Sequence, residues 1–345
     1  MFDFGTLKSK RALDMLCERE KNLTESGSRA EAACRQALAR AGFAYGDTPA
    51  SFHWSQLINP RGDKSAAMAA YMELLQQEPG NMSALEGLAY LSQITGRQEQ
   101  AKRYRRRLFE VEARQYDVEE PALTDIVNYF LAKAGDGELP ERVPPTLIRI
   151  YFDKYADYFE DHLSNQLEYC VPQLVESFLN THKSLLATEK VLEIGCGTGL
   201  VATRLQTLIG TIDGLDISGK MLEKAKARNV YSRLLQADLT TSNASIDNDY
   251  SLIIAADVLN YQGKLSPVFE NIKKWLSANG AFVFTVEKSG HQNISLRATG
   301  RFQHSPEYIY HTADLYQFEK IHEQEVILRK EQGRPVLGLL YCFKH

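Results

Sequence analysis

The stretch VLEIGCGTGLVA, Val191 to Ala202, decides how this chain reads. An apolar run carries an acid at Glu193, and glycines follow at positions 195, 197 and 199. The pattern predicts a strand, a tight turn and the start of a helix. Glycine there allows positive φ and lets backbone N–H groups approach a ligand. In an open α/β sheet, ligands bind at the carboxyl ends of the strands. The stretch is therefore read as a ligand loop, and its spacing bears on which ligand. A dinucleotide fingerprint runs G-x-G-x-x-G. Counting from Gly195, the last position of that pattern is Leu200, and the third glycine falls at Gly199 instead.

Outward from the loop, strand-like runs recur at Lys190–Ile194, Ile212–Leu215, Ser232–Gln236, Ser251–Ala255, Ala281–Val286, Glu325–Lys330 and Leu337–Phe343. Helical segments separate the first five, which predicts a parallel sheet wrapped by helices. Only Glu331–Val336, with Gly333 and Pro335, joins the last two. So short a link permits only an antiparallel pair. Three further acids close apolar runs: Asp216 in GLDIS, Asp238 in QADL and Asp257 in AADVLNY. A buried acid without partners is costly. Helix capping is the ordinary alternative for any one of them.

The motif Glu193-x-Gly195-x-Gly197-x-Gly199, followed by these acids in this order, resembles the class I S-adenosylmethionine-dependent methyltransferases. The resemblance covers Leu147–His345. It implies a seven-stranded Rossmann-like methyltransferase sheet whose last strand is antiparallel, with S-adenosyl-L-methionine as cofactor. It implies that Glu193, Gly195, Cys196, Gly197 and Gly199 wrap the methionine part. Asp216 would take the ribose diol, Asp238 the adenine amino group, and Asp257 would stand beside the reacting centre. Ile217, Met221 and Leu239 join the same cofactor set. The stretches YFDKYADYFEDHL, AADVLNYQGKL, FTVEKSG and GRFQHSPEYI look like a bacterial group of predicted methyltransferases with N-terminal tetratricopeptide-like repeats. That likeness gives chemistry and architecture but no acceptor.

The aromatic helix expected over Leu147–Leu163 would lie over the cofactor pocket. Tyr151, Tyr155 and Tyr158 stand at spacings of four and three, on one helical face. Tyr151 and Tyr155 are assigned to the cofactor, with core anchoring as the plainer alternative. The insert between Val286 and Ala313, with Glu287, His291, Arg297, Arg301, His304 and Tyr308, is expected to wall the acceptor side. His304 is the candidate general base, because an imidazole titrates near neutrality. Glu287 ends a strand and is a second candidate base or an amine-binding group. Arg301 would suit a carboxylate-bearing acceptor. Tyr158, His162, Tyr261 and Tyr308 are expected to line the same space. Cys196 reads as a small packing residue rather than a nucleophile. There is no H-x-E and no clustered Asp/His set, so no metal is expected.

The N-terminal part reads as helical throughout. Ala33, Ala67 and Ala101 lie 34 residues apart, the period of the tetratricopeptide repeat. The clearest unit runs over residues 66–108, with Pro79-Gly80-Asn81 as its turn and Gly96 closing its second helix. Phe43–Arg61 breaks the first unit, and an ordinary amphipathic bundle is the alternative. The run Lys102–Arg107 is basic, but Glu99, Glu110 and Glu112 flank it, so it reads as a solvated face. AGDGELPERVPPT, Ala134–Thr146, marks the break between the parts. The expected division is a helical tetratricopeptide-like domain at 1–135, a linker at 136–146 and a methyltransferase domain at 147–345.

The whole chain bounds these readings. Its 345 residues suffice for two domains with real cores. At 44% hydrophobic and 24% charged, it has an ordinary globular composition. A net charge of -4 offers no global field for nucleic acid or anionic membrane, so neither is expected as a partner. Met1–Leu16 has no apolar segment of a signal peptide, and no apolar run is long enough to span a membrane. Five scattered cysteines without a C-x-x-C pair fit a reducing cytoplasm. Three functions follow for testing. The first is methyl transfer to a small molecule. The second is a protein methyltransferase whose repeats recruit the target. The third is a non-catalytic scaffold that binds the cofactor, and a homodimer fits any of them.

Overall fold

The strands divide their side chains between two faces with the two-residue period of a pleated sheet. Leu192, Ile253, Phe282 and Phe284 enter one buried core, while Val191, Leu252, Ile254, Ala281 and Val283 enter another. A sheet buried on both faces reads as near-continuous apolar sequence, which is why the central strands were legible. The computed structural model describes residues 28–41, 63–165, 167–185, 190–241, 246–290, 293–331 and 333–345. Met1–Leu16, Phe43–Arg61 and His291 lie outside them. The chain divides into two compact units between Glu138 and Leu139.

The second unit holds α6 (Pro145–Tyr155), α7 (Phe159–Asn165) and α8 (Val171–Thr181). Then follow β1 (Lys190–Ile194), α9 (Leu200–Leu205), β2 (Thr211–Asp216), α10 (Gly219–Ala227), β3 (Arg233–Gln236) and β4 (Tyr250–Ala255). It continues with α11 (Ser266–Trp275), β5 (Leu276–Lys288), β6 (Ile294–Leu296) and β7 (Phe302–His304). It closes with α12 (Pro306–Leu315), β8 (Glu319–Glu331) and β9 (Arg334–Lys344). The main strand order is β3-β2-β1-β4-β5, parallel throughout, with β9 antiparallel to β5 and β8 antiparallel to β9. This is a Rossmann-like α/β sheet with an antiparallel pair at one side. Helices α8 and α9 cover one face, and α11 and α12 the other.

Three sequence expectations change. The sheet has nine strands among the described residues, not seven. β4 stops at Ala255 opposite Phe284, and the freed edge of β5 pairs Glu287 and Lys288 with Gln303 and His304 of β7. The β6–β7 hairpin thus stands on the carboxyl edge of the sheet. The aromatic segment is two helices, α6 and α7, with a turn at residues 156–158, so Tyr158 leaves the helical face of Tyr151 and Tyr155. The stretch expected as a linker is engaged from the Glu141 carbonyl onward: that carbonyl accepts from the Gly263 and Lys264 amides, Val143 is fully buried, and α6 begins at Pro145.

The first unit contains α1 (Arg29–Arg40), α2 (Lys64–Gln77), α3 (Met82–Ile94), α4 (Gln98–Arg114) and α5 (Glu120–Lys133), each packed on the next. Asn81 caps α3 through its side chain, which accepts from the Ala84 amide at 3.0 Å. Gly96 closes α3 at φ +77. Ala67, Ala84 and Ala101 are fully buried, and a Cβ on Gly87 would lie 2.5 Å from the Tyr71 ring. The 34-residue register fails in α1, where Ala33 is exposed and Cys34 takes the buried place. The basic run is partnered: Arg105 meets Asp136 and Gln93, and Arg107 donates to the Pro79 carbonyl at 3.0 Å. No helix among the described residues is long and apolar enough to cross a membrane.

Candidate active site

Gly195, Gly197 and Gly199 sit between β1 and α9 at φ +64, +54 and +89. Any other residue is strained in that region. Gly195 is required twice over, since a Cβ there would fall 2.3 Å from Val258. Asp216, the last residue of β2, is buried beside this loop. The Gly197 amide donates to its Oδ2 at 2.8 Å, and the Ser218 amide donates to its Oδ1 at 2.8 Å. Burial pushes its carboxyl up to about 6, against the pull of these amides. The Ile217 amide bonds the carboxylate as well, and of its about four lone-pair positions the one that remains suits a hydroxyl donor.

Glu193 does not face this opening. It is 3% exposed, accepts from the Tyr231 hydroxyl at 2.7 Å, and is held by the Ala202 amide in α9. Burial pushes it up to about 8. Glu193 therefore supports the loop from behind. Cys196 is likewise inside, its sulfur 3.0 Å from where a Gly214 Cβ would stand, and burial pushes its thiol far up. A thiol held protonated is a poor nucleophile.

An aromatic cover packs around the loop. Phe159 lies 3.8 Å from the place of a Gly197 Cβ. Tyr151 and Tyr155 meet with tilted rings at 5.3 Å, Tyr155 meets Phe159 at 5.5 Å, and Phe152 meets Tyr261 edge-on at 5.5 Å. The Tyr155 hydroxyl bonds His162 Nδ1. Tyr158 is partly buried in the turn beside them. Two polar clamps fix this cover. Asp153 accepts from the Ser218 hydroxyl at 2.7 Å and from the Lys220 amide at 3.3 Å. Arg228 donates to the Thr198 carbonyl and to Glu160, both at 2.6 Å. Neither clamp was singled out in the sequence, because both depend on α6 and α7 folding back over α10.

At the end of β3, Asp238 is engaged by its neighbours. Oδ1 accepts from the Thr240 amide at 2.9 Å and its hydroxyl at 2.8 Å, and Oδ2 accepts from Arg142 at 2.7 Å. Ile217 and Met221 flank Asp216, with Ile217 partly exposed and Met221 buried in α10. Leu239 is a core residue packed toward α11.

The acceptor side differs most from expectation. Asp257, at φ +55, is held by the buried Arg329 at 3.0 and 3.2 Å and by Asn260 at 2.8 Å. Burial pushes its carboxyl up, and Arg329 pulls it back. Glu287, fully buried, is paired with Arg329 through one oxygen and with Arg297 at 3.3 Å through the other. Glu331 binds Arg329 at 2.9 Å, Arg297 at 3.7 Å and Arg301. Three acids and three arginines thus form one network, with Arg329 and Glu287 buried at its centre. Arg301 also hydrogen-bonds Tyr261, and its charge reaches the partly buried Tyr151.

These contacts correct several assignments. Asp257 and Glu287 are network members, and a carboxylate already paired with guanidinium is a poor base. His304 is fully buried and stacked on Tyr308, with Nε2 bonded to the Gly263 carbonyl at 3.0 Å. Burial pushes it down to about 4, so it stays neutral, and we reject it as the base. Tyr308 is a structural residue, its hydroxyl accepting from the Leu265 amide at 2.8 Å. Tyr151, Tyr155, Tyr261 and Arg301 do share one region, with His162 behind Tyr155. Among the described residues, no cluster of three or more His, Cys, Asp or Glu could hold a metal.

Residues 191–280 match the family model of a methyltransferase domain. This part of the chain is a methyltransferase domain, and its cofactor is S-adenosylmethionine. The biotin biosynthesis bifunctional protein BioCD of Bordetella avium is 31% identical over 177 residues, covering 48% of this chain and 36% of that protein. The malonyl-[acyl-carrier protein] O-methyltransferase of Legionella pneumophila is 29% identical over 105 residues, covering 29% of this chain and 37% of that protein. The chain thus spans little more than a third of the length of these two relatives. Among solved structures, it is similar to Burkholderia thailandensis 1,6-didemethyltoxoflavin-N1-methyltransferase, at 13% identity and a TM-score of 0.48. That match covers 60% of this chain and 92% of the other. The cofactor fits the residues present: a three-glycine loop with positive φ, a buried acid that can accept a further donor, and an aromatic cover.

Proposed function

We propose that the protein transfers a methyl group from S-adenosylmethionine to a carboxylate oxygen of a small acid. Arg301 carries the reading. It lies among Tyr261, Tyr151 and the acids of the network, pairs with Glu331 through one nitrogen, and keeps further N–H donors of the kind that hold carboxylates. The chemistry of the neighbours supports it. His304 is kept neutral and bonded, and Glu287 is committed to two arginines. An acceptor that is already an anion needs no proton removed. Relatives named malonyl-[acyl-carrier protein] O-methyltransferase agree with an acid as acceptor.

When bound, the cofactor supplies a methyl group on a sulfonium that is a good leaving group. In this reading Asp216 holds the ribose, the glycine loop holds the methionine end, and Tyr151 and Tyr155 exclude water above it. Arg301 and Tyr261 orient the acid so that its oxygen approaches in line. The residues before Leu139 are read as a tetratricopeptide-like helical domain and those from Leu139 onward as the methyltransferase domain.

The test is calorimetry followed by transfer of labelled methyl. Micromolar binding of S-adenosylmethionine and S-adenosylhomocysteine, with no response to NAD, is expected. Short dicarboxylic monothioesters should accept the label. Arg301→Gln should cut transfer about tenfold or more, the worth of a charged hydrogen bond, while leaving S-adenosylhomocysteine affinity nearly unchanged. Binding of NAD alone would overturn the cofactor. An equal loss of cofactor affinity in Arg301→Gln would overturn the acceptor.

A further inference from the structure

The segment ahead of α6 runs as a strap between two loops at the carboxyl edge of the sheet. Its backbone meets the loop after β4. The Glu141 carbonyl accepts from the Gly263 amide at 2.8 Å and the Lys264 amide at 2.7 Å, and the Val143 amide donates to the Tyr261 carbonyl at 2.9 Å. Gly263 is built for this contact, since a Cβ there would lie 2.8 Å from the Pro140 carbonyl oxygen. Its side chain Arg142 meets the loop after β3, donating to Asp238 Oδ2 at 2.7 Å and to the Thr240 hydroxyl.

We infer that Arg142 is a positioning residue for the nucleobase of the cofactor, acting through Asp238. The inference rests on the S-adenosylmethionine reading above. A carboxylate has about four lone-pair positions. At Asp238 the Thr240 amide, the Thr240 hydroxyl and Arg142 fill three of them. The carboxylate is thereby locked in orientation and left with one position, which accepts a donor and repels another acceptor. An exocyclic amine meets that requirement and a carbonyl oxygen does not. Arg142 therefore makes the acid a fixed reader of 6-amino against 6-oxo purine. The pair is only partly exposed, with Arg142 at 34% and Asp238 at 16%, so water competes weakly for the carboxylate.

The test uses the full chain and two probes, S-adenosylhomocysteine and its inosine counterpart, S-inosylhomocysteine. The wild type is expected to prefer the adenine compound by about tenfold or more, the worth of a charged hydrogen bond. Arg142→Gln should bring that preference to about threefold or less by weakening the adenine compound alone, and Arg142→Lys should restore most of it. Equal weakening of both probes, or a preference unchanged in Arg142→Gln, overturns the assignment while leaving the cofactor reading intact. Failure of the wild type to bind either probe overturns both. Thermal melting of both variants separates loss of fold from loss of selectivity, because the ratio of the two affinities belongs only to folded protein.

Discussion

Glu193 shows at the scale of one residue how a motif position can be right and its role different. The sequence places an acid two residues before the glycines, and a ligand contact was the natural reading. The structure turns its side chain inward, to Tyr231 and the Ala202 amide. Only the direction of the pleat decides between the two, and a five-residue strand does not reveal it. Burial pushes this carboxyl from the usual carboxylate range up to about 8. The folded protein then binds a proton more tightly than the unfolded chain. Stability is full below the unfolded value and falls as pH rises toward 8. Asp216, pushed up to about 6, adds to the same trend at lower pH. Glu193→Gln keeps an acceptor for Tyr231 and removes the titration. Melting temperature measured from pH 5 to 8.5 should fall more steeply in the wild type than in Glu193→Gln. Parallel curves would mean that Glu193 is not buried as described.

At the scale of elements, β1, β2, β4, β5 and β9 were legible from their apolar runs, whereas β3 and β8 carry only the short runs Leu234–Leu235 and Val326–Leu328. β6 and β7 were not legible. Each has three residues, and they exist because β4 ends early and leaves an edge of β5 unpaired. The ion network was hidden for the same kind of reason. Arg329 follows Val326, Ile327 and Leu328 on β8 and reads as the polar end of a strand. It reaches Asp257 and Glu287 only because the chain order lays β9 between β5 and β8. Arg297 and Arg301 arrive on the hairpin turn, so two separate segments supply the positive charge. Arg329→Met should therefore be severe. It leaves the fully buried Glu287 with Arg297 alone and takes the guanidinium from the partly buried Asp257 and Glu331, and breaking a buried pair from one side costs about 3–5 kcal/mol. Adding Glu287→Gln should recover part of that loss, since one uncompensated charge is then gone. Urea denaturation of the two single variants and the double variant measures the coupling. Simple additivity would show that the two side chains do not interact.

At the scale of the molecule, the break near Ala134–Thr146 was visible as Gly, Pro and charge, and the units divide at Glu138/Leu139. What composition could not show is that residues just past the break serve the catalytic unit. Arg142 binds Asp238, Val143 is fully buried, and Glu141 holds the loop at Gly263. A cut inside this strap and a cut before it should behave differently. The helical unit has a core of its own, built from Leu38, Tyr71, Leu85, Leu88 and their neighbours. The sheet buries two cores formed by residues from Val171 onward. Residues 139–345 should then fold alone, and deleting Met1–Glu138 should leave S-adenosylhomocysteine affinity within about threefold, less than the worth of one charged hydrogen bond. Deleting six further residues, through Pro144, removes Arg142 and the backbone bonds of the strap. That chain should lose affinity about tenfold or more even where it remains folded. Circular dichroism and calorimetry on the two truncations decide the matter. Insoluble protein from the first cut would mean that the helical unit completes a core the sheet needs. Equal affinities after both cuts would mean that the strap is a connection and nothing more.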